Sequence, residues 1–464
     1  MILAFLNSLF AAEVDSQVRT YLKCYQQLTN QRVPRSSTVI RDIQTRKTTG
    51  AKACISLIKS ASLNDDLKIS NKNEQSLIIL KNLQNLHNSW FKLYNLNRET
   101  QDHGVTNVID SNQMAYHYTA VLLNDKTKYS SVFSTNDSLW ALREGHKENI
   151  FSNDKDIQGR RSKIDGTGMR KWQVGGIKDN IDDYGKTHFF KPRLVQFGRL
   201  IGFEKVDNHL YFERFHNGKT LSKTSLSKNV FPGVFGTTPY LILNLAQDNE
   251  TTDGGYKLHR RFANNFFSDF LCRNLPAIEK RDIRPIKKSK ITFKNKVSCM
   301  ACHQTMDQLA GLTSNLEVFN AGEVHTNAYV FRAVYQHNIT QKANYKHTDR
   351  DLNYFQKKHT AKLYFRDYLG KLVDIELEKP KDLGIALKGL KDPYLCTVNR
   401  YFDYLTGVSV DLNNFSSINK KSDLRNFLLK LTDDLQRNGD TLSILEKIFA
   451  SKYYISSTEA TENE

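Results

Sequence analysis

Five consecutive residues, Cys299-Met300-Ala301-Cys302-His303, constrain this chain more than any other stretch. Two thiols three positions apart lie on one helical turn, and an imidazole on the next residue shares their side. At that spacing two thiols can add across the two vinyl groups of a haem while the imidazole reaches the iron. The pattern predicts haem c, with Cys299 and Cys302 as covalent attachment points and His303 as axial iron ligand. Other uses of the pair fit the surroundings less well. A redox dithiol sits at a strand-to-helix turn of a βαβ unit, and nothing around Cys299 has that pattern. A structural zinc site needs a second ligand pair at a set spacing, and none follows. A local Cys299–Cys302 disulfide remains as the alternative.

The length, 464 residues, allows roughly three domains, and 39% hydrophobic with 25% charged residues suits a globular chain with real cores. No apolar run after the N-terminus is long enough to span a membrane. The net charge of +18 favours anionic partners, among them an acidic redox protein; no motif points to a specific nucleic acid. Residues 1–12, MILAFLNSLFAA, read as the apolar part of a secretory signal without a positive leading region; a buried N-terminal helix is the alternative. Haem c is attached outside the bacterial cytoplasm, so the motif and the apolar start both point to a periplasmic or secreted protein. The four other cysteines, Cys24, Cys54, Cys272 and Cys396, are even in number. Pairing Cys24 with Cys54 and Cys272 with Cys396 is favoured, with four buried thiols as the alternative.

Along the chain, residues 13–95 read as a helical domain, with Val18, Leu22, Tyr25 and Leu28 at helical spacing and a long periodic stretch from Leu77 to Leu93. Residues 96–245 are mixed α/β, with a glycine-punctuated basic loop around Arg160, Arg161 and Arg170 and a short strand pair near Leu210-Tyr211-Phe212. Gly218-Lys219-Thr220 resembles the end of a phosphate loop, but Glu213 stands where that loop needs Gly. Residues 246–325 hold the haem motif. There Tyr256 to Leu271 is expected as a helix with Phe262, Phe266, Phe267 and Phe270 on its core stripe. A basic linker of Arg281, Arg284, Lys287, Lys288, Lys290, Lys294 and Lys296 follows, as a docking edge or a solvated loop. A second helix is expected from near Cys299 through Leu309, Leu312 and Leu316. Residues 326–455 contain a hairpin, with Leu363-Tyr364-Phe365 and Leu372 to Ile375 flanking a turn, and then helices. The acidic tail, 456–464, is expected to be disordered.

From about Lys257 to Tyr454 the chain resembles the planctomycete-type cytochrome c-like proteins, secreted bacterial chains with a haem-motif domain and a C-terminal companion domain. The resemblance runs through Arg260-Arg261, Phe270-Leu271-Cys272, Leu275-Pro276, Cys299-x-x-Cys302-His303-x-x-Met306-Asp307, Leu309, Gly311, Leu316-Glu317-x-Phe319 and Gly322. It continues through Gly370, Leu387, Cys396, Tyr404, Gly407, Leu445, Ile448, Ser451 and Tyr454. Gln308 and Asn320 depart from the family's usual Pro and Asp. The resemblance implies haem binding and electron transfer, and no substrate.

The sixth iron ligand is harder to place. The methionines are Met1, Met114, Met169, Met300 and Met306. Met306 lies one turn after His303 on the same helical side, so it cannot easily reach the opposite face of the haem. His325 is the favoured distal candidate, because Gly322 permits a turn that folds it back. His259, His337, His347, His359 and Met169 are weaker candidates, and an open iron is the alternative. Asp307 could cap or orient something near the haem or simply hydrogen-bond the backbone, and the structural role is favoured.

The sequence therefore predicts a mainly α, minor β (α+β) fold with a helical cytochrome c-like haem domain inside a larger multi-domain chain. The function expected is that of an exported mono-haem c-type cytochrome-like protein in electron transfer. The alternatives are a secreted binding protein whose CxxC is a structural disulfide and whose basic surface takes anionic partners, and a haem peroxidase-like enzyme.

Overall fold

In a computed structural model of the full chain, the residues described are 2–91, 112–144, 187–189, 198–206, 211–216, 219–225, 232–237, 240–241, 244, 256–284, 292–313, 316–322, 329–335, 361–417 and 422–460. The fold is mainly α with minor β, as the sequence predicts.

The N-terminal helices are α1 (Ile2–Thr29), α2 (Thr38–Gln44), α3 (Gly50–Lys59) and α4 (Glu74–Asn88). Two starts are set by side-chain caps: Thr49 accepts from the Lys52 amide and Asn73 from the Ser76 amide. Tyr21, Cys24, Tyr25 and Leu28 form the buried stripe of α1, whereas Leu22, expected on it, is 40% exposed. Helix α5 (Gln113–Leu123) is buried along its whole length.

Strands β1 (Ser138–Glu144) and β3 (Arg199–Val206) form one antiparallel pair. A five-stranded antiparallel sheet has the order β5-β4-β2-β7-β6, from β2 (Thr187–Phe189), β4 (Tyr211–His216), β5 (Lys219–Ser225), β6 (Leu316–Gly322) and β7 (Tyr329–Tyr335). The β4–β5 pair is the strand pair expected near Tyr211.

Helix α6 (Tyr256–Leu271) has the bounds the periodicity predicts, and its four phenylalanines are buried core. Helix α7 (Val297–Ala310) carries the cysteine motif and stops earlier than expected. Leu312 lies in a short 3-10 turn, Gly311–Thr313, and Leu316 opens β6, where pairing with β7 takes over from helical periodicity. The expected hairpin is present as β8 (Ala361–Arg366) and β9 (Leu372–Leu377), closed by Gly370 at φ +80°. Helices α8 (Pro380–Gly389), α9 (Asp392–Thr406), α10 (Asp423–Asn438), α11 (Thr441–Phe449) and α12 (Lys452–Ala460) follow. Helix α12 carries order through Ala460, into the segment expected as a disordered tail from Ser456. Its continuation is helped by the Ser456 hydroxyl, which donates to the Lys452 carbonyl.

The two ends of the chain share one core. Gln27 of α1 donates to the Leu405 carbonyl and accepts from the Tyr454 hydroxyl. His87 sits fully inside, bonded to Thr119 and Tyr401 at 2.8 and 2.7 Å; burial pushes its imidazole down to about 3, so it is neutral. No helix of the described residues is long and apolar enough to cross a membrane.

Both favoured disulfides are formed. Cys24–Cys54 ties α1 to α3 across 30 residues, and Cys272–Cys396 ties the end of α6 to α9 across 124. On the chain-entropy account, replacing Cys272 and Cys396 by Ala should cost about 4–5 kcal/mol, about 1 kcal/mol more than the same change at Cys24 and Cys54. Urea unfolding of the two double variants measures that order.

Beside the second disulfide, Asp392 is 2% exposed. Its Oδ1 accepts from the Tyr368 amide at 3.0 Å and from Arg273 at 3.5 Å, while Oδ2 has no partner among the described residues. Burial pushes this carboxyl up to about 7 against the pull of Arg273. A folded-state value above the unfolded one means the folded protein holds the extra proton. Stability from this group is therefore greatest below about pH 4, falls as pH rises to about 7, and is level above. The fall is on the order of 2–4 kcal/mol. Asp392→Asn should remove this step from the pH–stability curve.

Candidate haem-attachment site

Helix α7 is held between two supports. On one side it packs on α6 and on the other on β8. The chain entering it is clamped twice. The Arg284 amide donates to Gln304 Oε1 at 2.9 Å, and Gln304 Nε2 donates back to the Arg284 carbonyl at 3.0 Å. The Arg284 guanidinium binds Asp374 of β9 and lies over the Tyr364 ring. Just upstream, Arg366 of β8 grips both oxygens of Asp282 at 2.6 Å. Part of the expected basic edge is thus paired with carboxylates at the surface: Arg284 with Asp374, and Arg281 with Glu279. Lys287, Lys288 and Lys290 lie outside the described residues, as does the basic loop around Arg160.

Cys299, Cys302 and His303 fall on one side of α7, as their spacing requires. Both thiols are free and partly exposed, so the alternative Cys299–Cys302 disulfide is not formed. Burial, with Cys299 a secondary influence, pushes the Cys302 thiol up and keeps it protonated.

His303 is held by two groups, which a third ties together. Its Nδ1 lies 3.2 Å from Asp307 Oδ1 one turn on. Phe293, from a short 3-10 turn at Thr292–Asn295, covers its ring with centroids 4.4 Å apart. Arg260 of α6 closes the set: Nε donates to Asp307 Oδ1 at 2.6 Å and Nη2 to Oδ2 at 3.1 Å, while the guanidinium lies 5.4 Å over Phe293. Burial alone would push the Asp307 carboxyl up; the hydrogen bonds from His303 and Arg260 outweigh it and hold the group below the usual carboxylate range. Asp307 thus does more than bond its own backbone: it links α6 to α7 and holds His303. Among the described residues His303 Nε2 has no hydrogen-bond partner.

This donor set suits a haem. Among the described residues no group of three or more His, Cys, Asp or Glu side chains converges on a bare ion. A porphyrin brings four nitrogens of its own, so a single imidazole with its second nitrogen anchored is enough on the proximal side.

His325, the favoured distal candidate, lies outside the described residues, as do His337, His347, His359 and Met169. His259 is buried in α6 and bonded through Nδ1 to Thr313 at 2.9 Å, and burial pushes it down to about 3. Met306 is partly buried and packs against the core. Arg260 and Phe293 were not legible as site residues: Arg260 stands out only through the family resemblance, and Phe293 carries no signal.

No family model matches the chain, and no curated protein or solved structure is similar to it.

The Arg260–Asp307 pair is mostly shielded, with side-chain exposures of 29% and 16%. Arg260→Met should therefore cost about 2 kcal/mol, because it takes two charge-assisted hydrogen bonds from a shielded carboxylate. Arg260→Met combined with Asp307→Leu should cost less than the two single changes added together, which a double-mutant cycle in urea measures.

Proposed function

We propose that this chain is an exported mono-haem c-type cytochrome-like protein of the planctomycete-type cytochrome c-like group, acting in electron transfer. The observation that carries the reading is the arrangement on α7: two reduced thiols on the same side as an imidazole whose Nδ1 is anchored. The S–H of Cys299 and that of Cys302 would each add across one vinyl group. The sulfur bonds to one vinyl carbon and the proton goes to the other, so no oxidant is needed. His303 would hold the iron through Nε2, with Nδ1–H donated to Asp307. When bound, the haem supplies reversible one-electron chemistry. The +18 net charge supports an acidic redox partner.

A second reading, a haem peroxidase-like enzyme, is favoured by one contact: the proximal imidazole bonds a carboxylate, which increases its donor strength.

Expression with the c-type maturation machinery tests the proposal. Haem should stay on the denatured chain, giving a mass one haem above the polypeptide, and Cys299→Ala with Cys302→Ala should abolish this. Protein from the original host with the bare polypeptide mass would overturn it. His303→Ala should keep the covalent haem and change its absorption bands, because the iron loses its protein ligand.

A further inference from the structure

We infer that Asp307 is the positioning residue for His303 and that Arg260, 47 positions upstream, sets the strength of its pull, an inference that rests on the haem reading. Three observations carry it. His303 has one ring nitrogen bonded to Asp307, and its other, Nε2, makes no hydrogen bond among the described residues. An imidazole whose Nδ1–H is donated to a carboxylate has its lone pair on Nε2, so the carboxylate selects the tautomer that can bind a metal. The Phe293 ring at 4.4 Å limits rotation of the imidazole, so the selected nitrogen keeps one direction.

The second part concerns Arg260. Asp307 Oδ1 accepts from His303 Nδ1 and from Arg260 Nε. The guanidinium draws charge from the oxygen that the imidazole uses. Alone, a buried carboxylate would pull hard on Nδ1–H, make Nε2 a stronger donor and favour ferric over ferrous iron. Arg260 weakens that pull. The pair thus acts as a graded control on the reduction potential, built from residues that do not touch the iron. Because Arg260 sits on α6, any shift of α6 against α7 would change the setting.

The test uses the holoprotein matured with covalent haem and follows the potential by spectroelectrochemical titration. Asp307→Asn should keep the covalent haem and move the potential positive. Arg260→Gln should move it negative. In the Asp307→Asn background, Arg260→Gln should have much less effect, because its route to the imidazole is gone. Asp307→Glu, which keeps the carboxylate, should restore part of the wild-type value. An unchanged potential in Asp307→Asn overturns the inference, and equal Arg260→Gln shifts in both backgrounds overturn the role of Arg260. If Asp307→Asn does not fold, the sign in Arg260→Gln decides: no shift or a positive shift overturns the inference. Absence of covalent haem on the wild-type chain is a different outcome and overturns the haem reading itself.

Discussion

Arg400 of α9 holds the far end of α6, and much of the structure depends on that grip. Its guanidinium donates to the carbonyls of Ser268 and Asp269, two of the last four residues of α6, and to the carbonyl of Trp90. Carbonyls at a helix end have no partner within the helix and need one from outside. The guanidinium also lies 5.3 Å over the Trp90 ring, and Asp269 accepts from the Tyr240 hydroxyl. One residue past the helix, Cys272 takes a left-handed conformation at φ +52° and bonds Cys396, one turn before Arg400 on the same helix. Helix α6 is thereby fixed in both rotation and axial position. Arg260 lies nine residues earlier, about 14 Å along the axis, so its reach to Asp307 follows from how the other end is held.

A close approach elsewhere shows the same economy. A Cβ on Gly384 would come within 2.0 Å of the Phe133 carbonyl, so α8 lies against the 129–133 turn with no space for a side chain. That turn in turn supports α9 through Tyr129, whose hydroxyl bonds Thr397.

Where local pattern and tertiary environment agreed, the fold was legible. Helix α6 has one apolar face and a polar one, so periodicity located both ends. The β8–β9 hairpin has alternating residues around a turn that needs glycine at Gly370. The disulfides followed from an even count and plausible neighbours. Helix α5 was not foreseen, because it is buried on every side and so shows no polar face for a period to reveal. The end of α7 was misplaced because Leu309, Leu312 and Leu316 keep helical spacing while the chain has already turned into a strand. In the site, the residues adjacent in sequence were legible and those brought together by packing were not. Cys299, Cys302 and His303 come as one word, whereas Arg260 meets Asp307 only because two helices cross.

The cysteines carry a consequence for how the chain is made. Four of the six are oxidised and two stay reduced, and the 272–396 bridge encloses the reduced pair in its loop. Thiol–disulfide exchange needs a thiolate to attack, and burial keeps Cys302 protonated. The helix bearing the motif thus gives Cys302 a reason to lag behind the others during oxidation. The folded scaffold sorts six chemically identical groups into two fates, which a count of cysteines alone does not show.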